Sequence, residues 1–458
     1  MSAGDSPEGV PAGTDASARL TPIQVGLLGI GTVGGGTFAV LARNREEIRR
    51  RAGREIRIAA VADRDTARAA QVIAAAGVEA TITSDAFALV RDPAIDIVVE
   101  LIGGYTVARE LVLAAIAAGK HVVTANKALL AKHGNEIFAA ARAAGVMVAY
   151  EAAVGGGIPI IKALREGLAA NRIEWIAGII NGTSNFILSE MRDKGLAFET
   201  VLREAQGLGY AEADPTFDIE GIDAAHKLTL LSAIAFGTPI EFDRAHVEGI
   251  SKLDAIDIRY AAEFGYRIKL LGITRRTSNG LELRVHPTLI SERRLIANVE
   301  GVMNAVLVKG DAVGPTLYCG AGAGAEPTAS AVIADLVDVA RTLAADPEHR
   351  VPHLAFQAES ISAVPILPMA DVLTSCYLRM RVLDRPGVLA DIARALADRG
   401  VSIEAMVQKE PAAGEASVDI IMLTHPTIER AVDEAITVIE ALAAVQGTVT
   451  RLRREPLL

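Results

Sequence analysis

Five carboxylates, Glu212, Asp214, Asp218, Glu220 and Asp223, crowd the stretch GYAEADPTFDIEGIDAAHK (209–227), which closes on one cation, Lys227. Charge runs are ordinarily solvated surface and carry no chemistry. The alternative here is proton transfer. Asp223 and Lys227 stand four residues apart, so on a helix they share a face and the carboxylate orients the ammonium. A lysine whose pKa is lowered by burial can take a proton and return it. The neighbouring carboxylate opposes that lowering, and the spacing alone leaves the contest open. Pro215 suits a turn that holds Asp214.

Such a pair needs a scaffold, and the first part of the chain supplies one. IQVGLLGIGTVGGG (23–36) is an apolar strand running into Gly29, Gly31 and Gly34 at G-x-G-x-x-G spacing, followed by a helix-compatible segment. The first glycine permits the turn, the second lets a pyrophosphate approach the backbone, and the third lets helix and strand pack closely. The free N–H groups of that helix then face the phosphates. EIRIAAVADRD ends a second strand at Asp63, placed to accept from a ribose 2′-hydroxyl, while Arg64 next to it suits a 2′-phosphate. NAD and NADP therefore both stay open. Strands and helices alternate to about residue 150, which predicts a parallel, doubly wound sheet. Ligands on such sheets lie at the carboxyl ends of the strands. Three such ends matter: Ile102-Gly103-Gly104, Thr124-Ala125-Asn126-Lys127, and Glu151 onward. Lys127 is either a surface lysine opening a helix or a cation projecting toward cofactor and substrate. RIEWIAGIINGTSNFILSEMRDKG (172–195) reads as strand-like, with Asn181 and Asn185 as turn and cap residues.

Composition sets limits around this. The 458 residues ask for two or three domains, and 51% hydrophobic residues suffice to pack them. A formal net charge of −10 argues against an electrostatic grip on nucleic acid or an anionic membrane and favours small-molecule partners. Two cysteines, Cys319 and Cys376, allow neither a disulfide framework nor a four-cysteine metal site, so a reducing cytoplasm fits. Residues 1–20 lack a signal-peptide pattern and read as a disordered tail. No stretch suits a membrane span.

GIGTVG, VTANKALL, EAAVGGGIPII, NGTSNFIL, GYAEADPTFDIEGIDAAHK and GAGAGAEPTASAV, in this order over residues 22–348, closely resemble the homoserine dehydrogenases. The resemblance implies reversible NAD(P)-linked interconversion of L-homoserine and L-aspartate 4-semialdehyde, in threonine and methionine biosynthesis. By position it implies Lys227 as acid/base and Lys127 as the second lysine of the site, with Asp223 orienting the pair. Glu212 and Asp218 match the substrate-binding acids, and Gly182 and Thr183 the residues offering the substrate hydrogen bonds. The cofactor would lie on Gly29, Ile30, Gly31, Thr32, Val33 and Gly34, with Asp63, Arg64, Gly103, Lys127 and Gly324. A structural monovalent cation, usually sodium, would be held by carbonyl oxygens of Glu151, Val154, Gly156 and Ile158. Homodimers or homotetramers are implied too.

Within that frame the expected fold class is α/β. A Rossmann-type dinucleotide domain (21–150, completed by 322–348) precedes an α+β substrate and dimerisation domain (151–321), a proline-bearing linker (349–372) and a third unit (373–454). In the third unit, βαββαβ order around DRPGVLA (384–390) predicts a ferredoxin-like sheet with one helical face and resembles an ACT domain. L-threonine is the implied allosteric ligand. Two alternatives remain: a non-catalytic nucleotide and amino-acid sensor, which has no use for Glu212, Asp218, Asp223 and Lys227 together, and a semialdehyde dehydrogenase working through a cysteine thioester. The latter needs an activated cysteine, and Cys319 reads instead as small buried filler.

Overall fold

The computed structural model describes residues 21–343, 345–347, 350–409 and 415–457. The expected tail, 1–20, lies outside the described residues. Six short apolar strands, β1 (Ile23–Leu28), β2 (Ile56–Ala62), β3 (Thr81–Thr83), β4 (Ile97–Glu100), β5 (His121–Thr124) and β6 (Val148–Ala149), form a sheet in the order β3-β2-β1-β4-β5-β6. All pairings are parallel. Strands buried on both faces read as near-continuous hydrophobic runs, as β4 and β5 do here. The order reverses between β1 and β4, which opens a crevice at their carboxyl ends. Helices α1 (Thr32–Arg43) and α2 (Lys127–Ala143) start from the ends of β1 and β5 and so face that crevice with their amino termini.

The chain then leaves this sheet. β7 (Ile173–Ile179) leads into α3 (Gly182–Lys194), and a second, longer helix, α4 (Ile222–Phe236), is buried from Asp223 to its end. The strand-like reading of 172–195 thus holds only to Ile179: Asn181 accepts from Ser184 N and starts a helix, so local capping overrides the apolar run. β8 (Tyr266–Arg276), β9 (Leu281–Ser291), β10 (Met303–Gly310) and β11 (Gly314–Ala321) complete the antiparallel sheet against which α4 packs. Helix α5 (Ala325–Thr342) returns to the first sheet, where Val332, Ile333, Leu336 and Val339 share a core with Ile23, Val25 and Leu27. A Cβ on Gly36 of α1 would lie 2.6 Å from Ala325 O, so only glycine permits this approach.

The C-terminal strands β12 (Leu373–Leu383), β13 (Ile403–Gln408), β14 (Ser417–Thr424) and β15 (Val445–Glu455) pair in the order β15-β12-β14-β13, with α6 (Val388–Ala397) and α7 (Glu429–Glu440) packed on one face. This is the ferredoxin-like arrangement expected. It is not a separate sheet. β15 pairs in parallel with β9 through Thr288↔Arg453, Leu289↔Arg454 and Ile290↔Glu455, so the order runs β11-β10-β7-β8-β9-β15-β12-β14-β13.

Two expectations need correction. The described residues of the expected linker, 350–372, form a strap. His353 accepts from Val148 N at 3.1 Å and stacks on Phe138, Tyr150 Oη donates to His353 O, Leu354 and Ile366 are buried, and Leu281 exchanges backbone bonds with Pro365 and Leu367. Cys319 is exposed, because β11 at the end of the sheet has no layer packed fully over either face and none of its residues is buried; Cys376 is the buried one. Among the described residues, no helix is long and apolar enough to cross a membrane.

Candidate active site

The glycine loop after β1 has the geometry a pyrophosphate needs. Gly29 has φ +89°, space beside Gly31 is open, and a Cβ on Gly34 would lie 2.1 Å from Gly29 O. Turn, approach and close packing thus fall to the three glycines as the motif requires. Asp63 accepts from Ile30 N at 2.7 Å and from Asp65 N at 2.9 Å, tying β2 to the loop, while Arg64 is exposed beside it. Gly103 also adopts a positive φ, at the end of β4. Gly324, at φ +118°, precedes α5. The Gly322–Gly324 turn is pressed against the 151–158 segment: Gly157 N donates to Ala321 O, and a Cβ on Gly156 would lie 2.5 Å from Gly322 O.

The acidic stretch folds as three pieces: the rim, a single turn Thr216–Ile219, and the first turn of α4. Lys227 Nζ donates to Asp223 Oδ2 at 2.7 Å and to Ile180 O at 2.7 Å. Lys127 Nζ reaches the other oxygen, Asp223 Oδ1, at 3.1 Å. Asn181 Nδ2 links the acids, donating to Asp218 Oδ1 at 2.7 Å and Asp223 Oδ2 at 2.8 Å. Lys227, Asp223 and Asn181 are buried; Asp218 and Lys127 are half-buried. Thr183 Oγ1 donates to Tyr210 O at 2.6 Å and so anchors the rim to the start of α3, next to Gly182. Glu212 is exposed and stands outside this hydrogen-bond network. Asp214 accepts from Thr216 N, as a turn residue before α4 should.

Electrostatics settle the contest left by the sequence. Burial lowers the pKa of Lys227, Asp223 opposes, and the charge of Lys127 adds to the lowering; the net shift is downward. Asp223 behaves inversely. Burial would raise it, but Lys227, Lys127 and Asn181 hold it well below the usual carboxylate range. Asp218 is raised, chiefly by burial and secondarily by Asp223. The result is a lysine that holds its proton less tightly than an exposed one, beside a carboxylate that stays ionised.

Two side chains in this network were read too modestly or missed. Asn181 is a helix cap, but the same amide also binds both aspartates. Glu100, the last residue of β4, is buried and accepts from Ile102 N, Gly103 N and Thr124 Oγ1. A carboxylate ending an otherwise apolar strand, IVVE, was the available signal.

For a cation, the 151–158 segment offers oxygen only. Glu151 turns its carboxylate to Ile161 N and Lys162 N, and its carbonyl accepts from Val154 N; Ile158 O accepts from Ile160 N. Among the described residues no donor meets the carbonyls of Val154 or Gly156, and no three His, Cys, Asp or Glu side chains gather as metal ligands. Hard carbonyl donors without clustered carboxylates suit a weakly held monovalent ion. As for a thioester mechanism, Cys376 lies in the core of the ferredoxin-like unit, where burial pushes its thiol up to about 11.

A doubly wound dinucleotide fold whose switch-point crevice borders a buried lysine and carboxylates defines a nicotinamide-dependent oxidoreductase, here carrying a C-terminal ACT unit. Family models match in the same order: homoserine dehydrogenase, NAD binding domain, over residues 29–151; homoserine dehydrogenase over 159–337; and ACT domain over 377–444. A homoserine dehydrogenase of Pseudomonas aeruginosa is 62% identical over 438 residues, covering 96% of this chain and 100% of the relative. The crystal structure of a homoserine dehydrogenase from Thiobacillus denitrificans superposes with TM-score 0.91 at 70% identity, covering 96% of this chain and 99% of that one. A hyperthermophilic archaeal homoserine dehydrogenase in complex with NADPH superposes with TM-score 0.59 at 26% identity over 70% of this chain and 98% of that one. The chain belongs to the homoserine dehydrogenase family.

Proposed function

We propose that the protein interconverts L-homoserine and L-aspartate 4-semialdehyde with NADP(H), using Lys227 as the proton carrier. The observation that carries this is the lysine itself: buried, lowered in pKa by that burial, and aimed by Asp223 and Ile180 O. When bound, the nicotinamide accepts the hydride from the carbinol carbon. Lys227 takes the hydroxyl proton as the C–O bond becomes a carbonyl, and returns it in the reverse direction. Asp223 stays ionised and orients the amine. Asp218, with Glu212 swinging in from the rim, faces the substrate ammonium, while Gly182 and Thr183 supply backbone and hydroxyl hydrogen bonds. Lys127, at the start of α2 with its Nζ on Asp223 Oδ1, would meet both cofactor and substrate.

Asp63 is engaged by Ile30 N of the glycine loop and by Asp65 N of its own turn, and the exposed Arg64 beside it is the group for a 2′-phosphate, which favours NADP. The archaeal relative's complex with NADPH supports the same preference. Sodium on the carbonyls of Glu151, Val154, Gly156 and Ile158, assembly as a homodimer or homotetramer, and L-threonine as the ACT ligand complete the reading. It is tested by homoserine-dependent reduction of NADP and NAD at alkaline pH, with and without threonine. Purified protein that reduces neither cofactor refutes it.

A further inference from the structure

We infer that Glu100 is a positioning residue for this reaction, setting the Gly103–Gly104 turn and the start of the Lys127 helix as one unit. The inference rests on the function proposed above. Glu100 sits in mid-sheet at the end of β4, opposite Leu28 of β1 and Thr124 of β5, fully buried. A carboxylate is costly there unless its oxygens are satisfied, and they are. Oε1 accepts from Ile102 N at 3.0 Å and Gly103 N at 3.2 Å; Oε2 accepts from Thr124 Oγ1 at 2.7 Å. Each bond leads to a working part. The first two shape the positive-φ turn at Gly103 and Gly104. That turn abuts the glycine loop, since a Cβ on Gly29 would lie 3.0 Å from Leu101 O.

The third bond leads to Lys127. With its proton committed to Glu100, Thr124 Oγ1 accepts from Asn126 N at 3.0 Å. Asn126 in turn donates to Gly104 O at 2.6 Å and caps α2 by accepting from Leu129 N at 3.1 Å. Lys127 is the next residue, with its Nζ on Asp223. Glu100 touches neither lysine nor Asp223, so its effect passes through Thr124, Asn126 and the turn. Glutamine has the same shape but one acceptor oxygen. In E100Q the amide oxygen can keep Ile102 N and Gly103 N, but the NH₂ then faces Thr124 Oγ1, whose proton must turn away from residue 100, so the buried charge and its hold on the Thr124 proton are lost together.

Steady-state kinetics of full-length wild type, E100Q, K127A and E100Q/K127A, with thermal melting of each, decide the matter. The expected result for E100Q is a loss of about ten- to a hundred-fold in kcat, the scale of a displaced catalytic group. KM for homoserine should stay within about three-fold and the melting temperature near wild type. The double variant should be no slower than K127A alone, because both changes act through the same ammonium. Independent, multiplicative losses overturn the inference, as does an E100Q kcat within two-fold of wild type or a loss that tracks the unfolded fraction. If E100Q does not fold, T124V tests the same chain by removing both the Thr124 bond to Glu100 and the bond that Thr124 accepts from Asn126 N: lower kcat with unchanged homoserine KM supports the inference, and wild-type kcat overturns it. Failure of the functional reading looks different, since wild type itself would then show no homoserine-dependent reduction.

Discussion

Lys127 and Lys227 hold opposite oxygens of one carboxylate: Lys227 lies 2.7 Å from Asp223 Oδ2, and Lys127 lies 3.1 Å from Asp223 Oδ1. The two cations come from different sheets' helices, α2 and α4, so a single buried aspartate joins the dinucleotide half to the substrate half. It does so while two ammonium groups share its charge. Burial lowers the pKa of Lys227, and the charge of Lys127 across the shared carboxylate adds to that lowering.

Replacing Lys227 with alanine should lower kcat by about a hundred- to ten-thousand-fold, the range supplied by a positioned acid/base. The fold should survive, because Asp223 keeps Lys127 and Asn181 as partners. Dinucleotide binding, followed by fluorescence titration, should change little. Loss of binding and turnover together would assign Lys227 a structural part instead.

The pH profile of homoserine oxidation should carry opposite signatures from the two neighbours. Oxidation needs the neutral amine, so kcat/KM should rise with pH through the Lys227 titration, at a pH below that of an ordinary lysine. Asp223 raises that pKa and Lys127 lowers it. In D223N the ammonium loses its counterion, and the rising limb should move to more acid pH. In K127A a repelling charge is gone, and the limb should move to more alkaline pH. Shifts of the same sign in both variants would remove Lys227 from the role.

How much of this was legible in the sequence depended on how local the cause was. Gly29, Gly31 and Gly34 announce themselves because each glycine answers one short-range constraint. Asp223 and Lys227 do so because a helix brings i and i+4 together. Asn181 was read only as a cap, since its bonds to Asp218 and Asp223 span 37 and 42 residues. The strap at His353 and the β9–β15 pairing were illegible for the same reason: strand partners far apart in the chain leave no periodic trace. Cys319 was misjudged because burial on an edge strand depends on which neighbours exist, not on residue type.

Arg64 should govern cofactor choice. Hydrogen bonds to charged groups contribute about 1.5–3 kcal/mol, so R64Q should raise KM for NADP by about ten- to a hundred-fold. KM for NAD should stay within about three-fold, because Asp63 is untouched and continues to hold Ile30 N and Asp65 N. Initial rates with both cofactors at saturating homoserine read this directly. Equal effects on both would place Arg64 in loop structure.

Deleting residues 373–458 should not give a deregulated enzyme, because it removes part of the catalytic fold. β9 would lose its parallel partner β15 over Thr288–Ile290, leaving that stretch of its edge bare. Arg284 and Arg275 would lose Glu455, at 2.5 and 2.8 Å, and buried Asp257 would lose Arg379 at 2.6 Å and Tyr377 Oη at 3.0 Å. Breaking one buried pair costs about 3–5 kcal/mol, and a domain holds only about 5–15 kcal/mol in all. The truncated chain should therefore be insoluble or melt well below the full-length protein, as soluble yield and calorimetry will show. A truncation that melts at the wild-type temperature would mean the shared sheet contributes little. The effector question must accordingly be put to full-length protein, where point changes on the outer face of the ferredoxin-like unit leave β15 and its carboxylate, Glu455, in place.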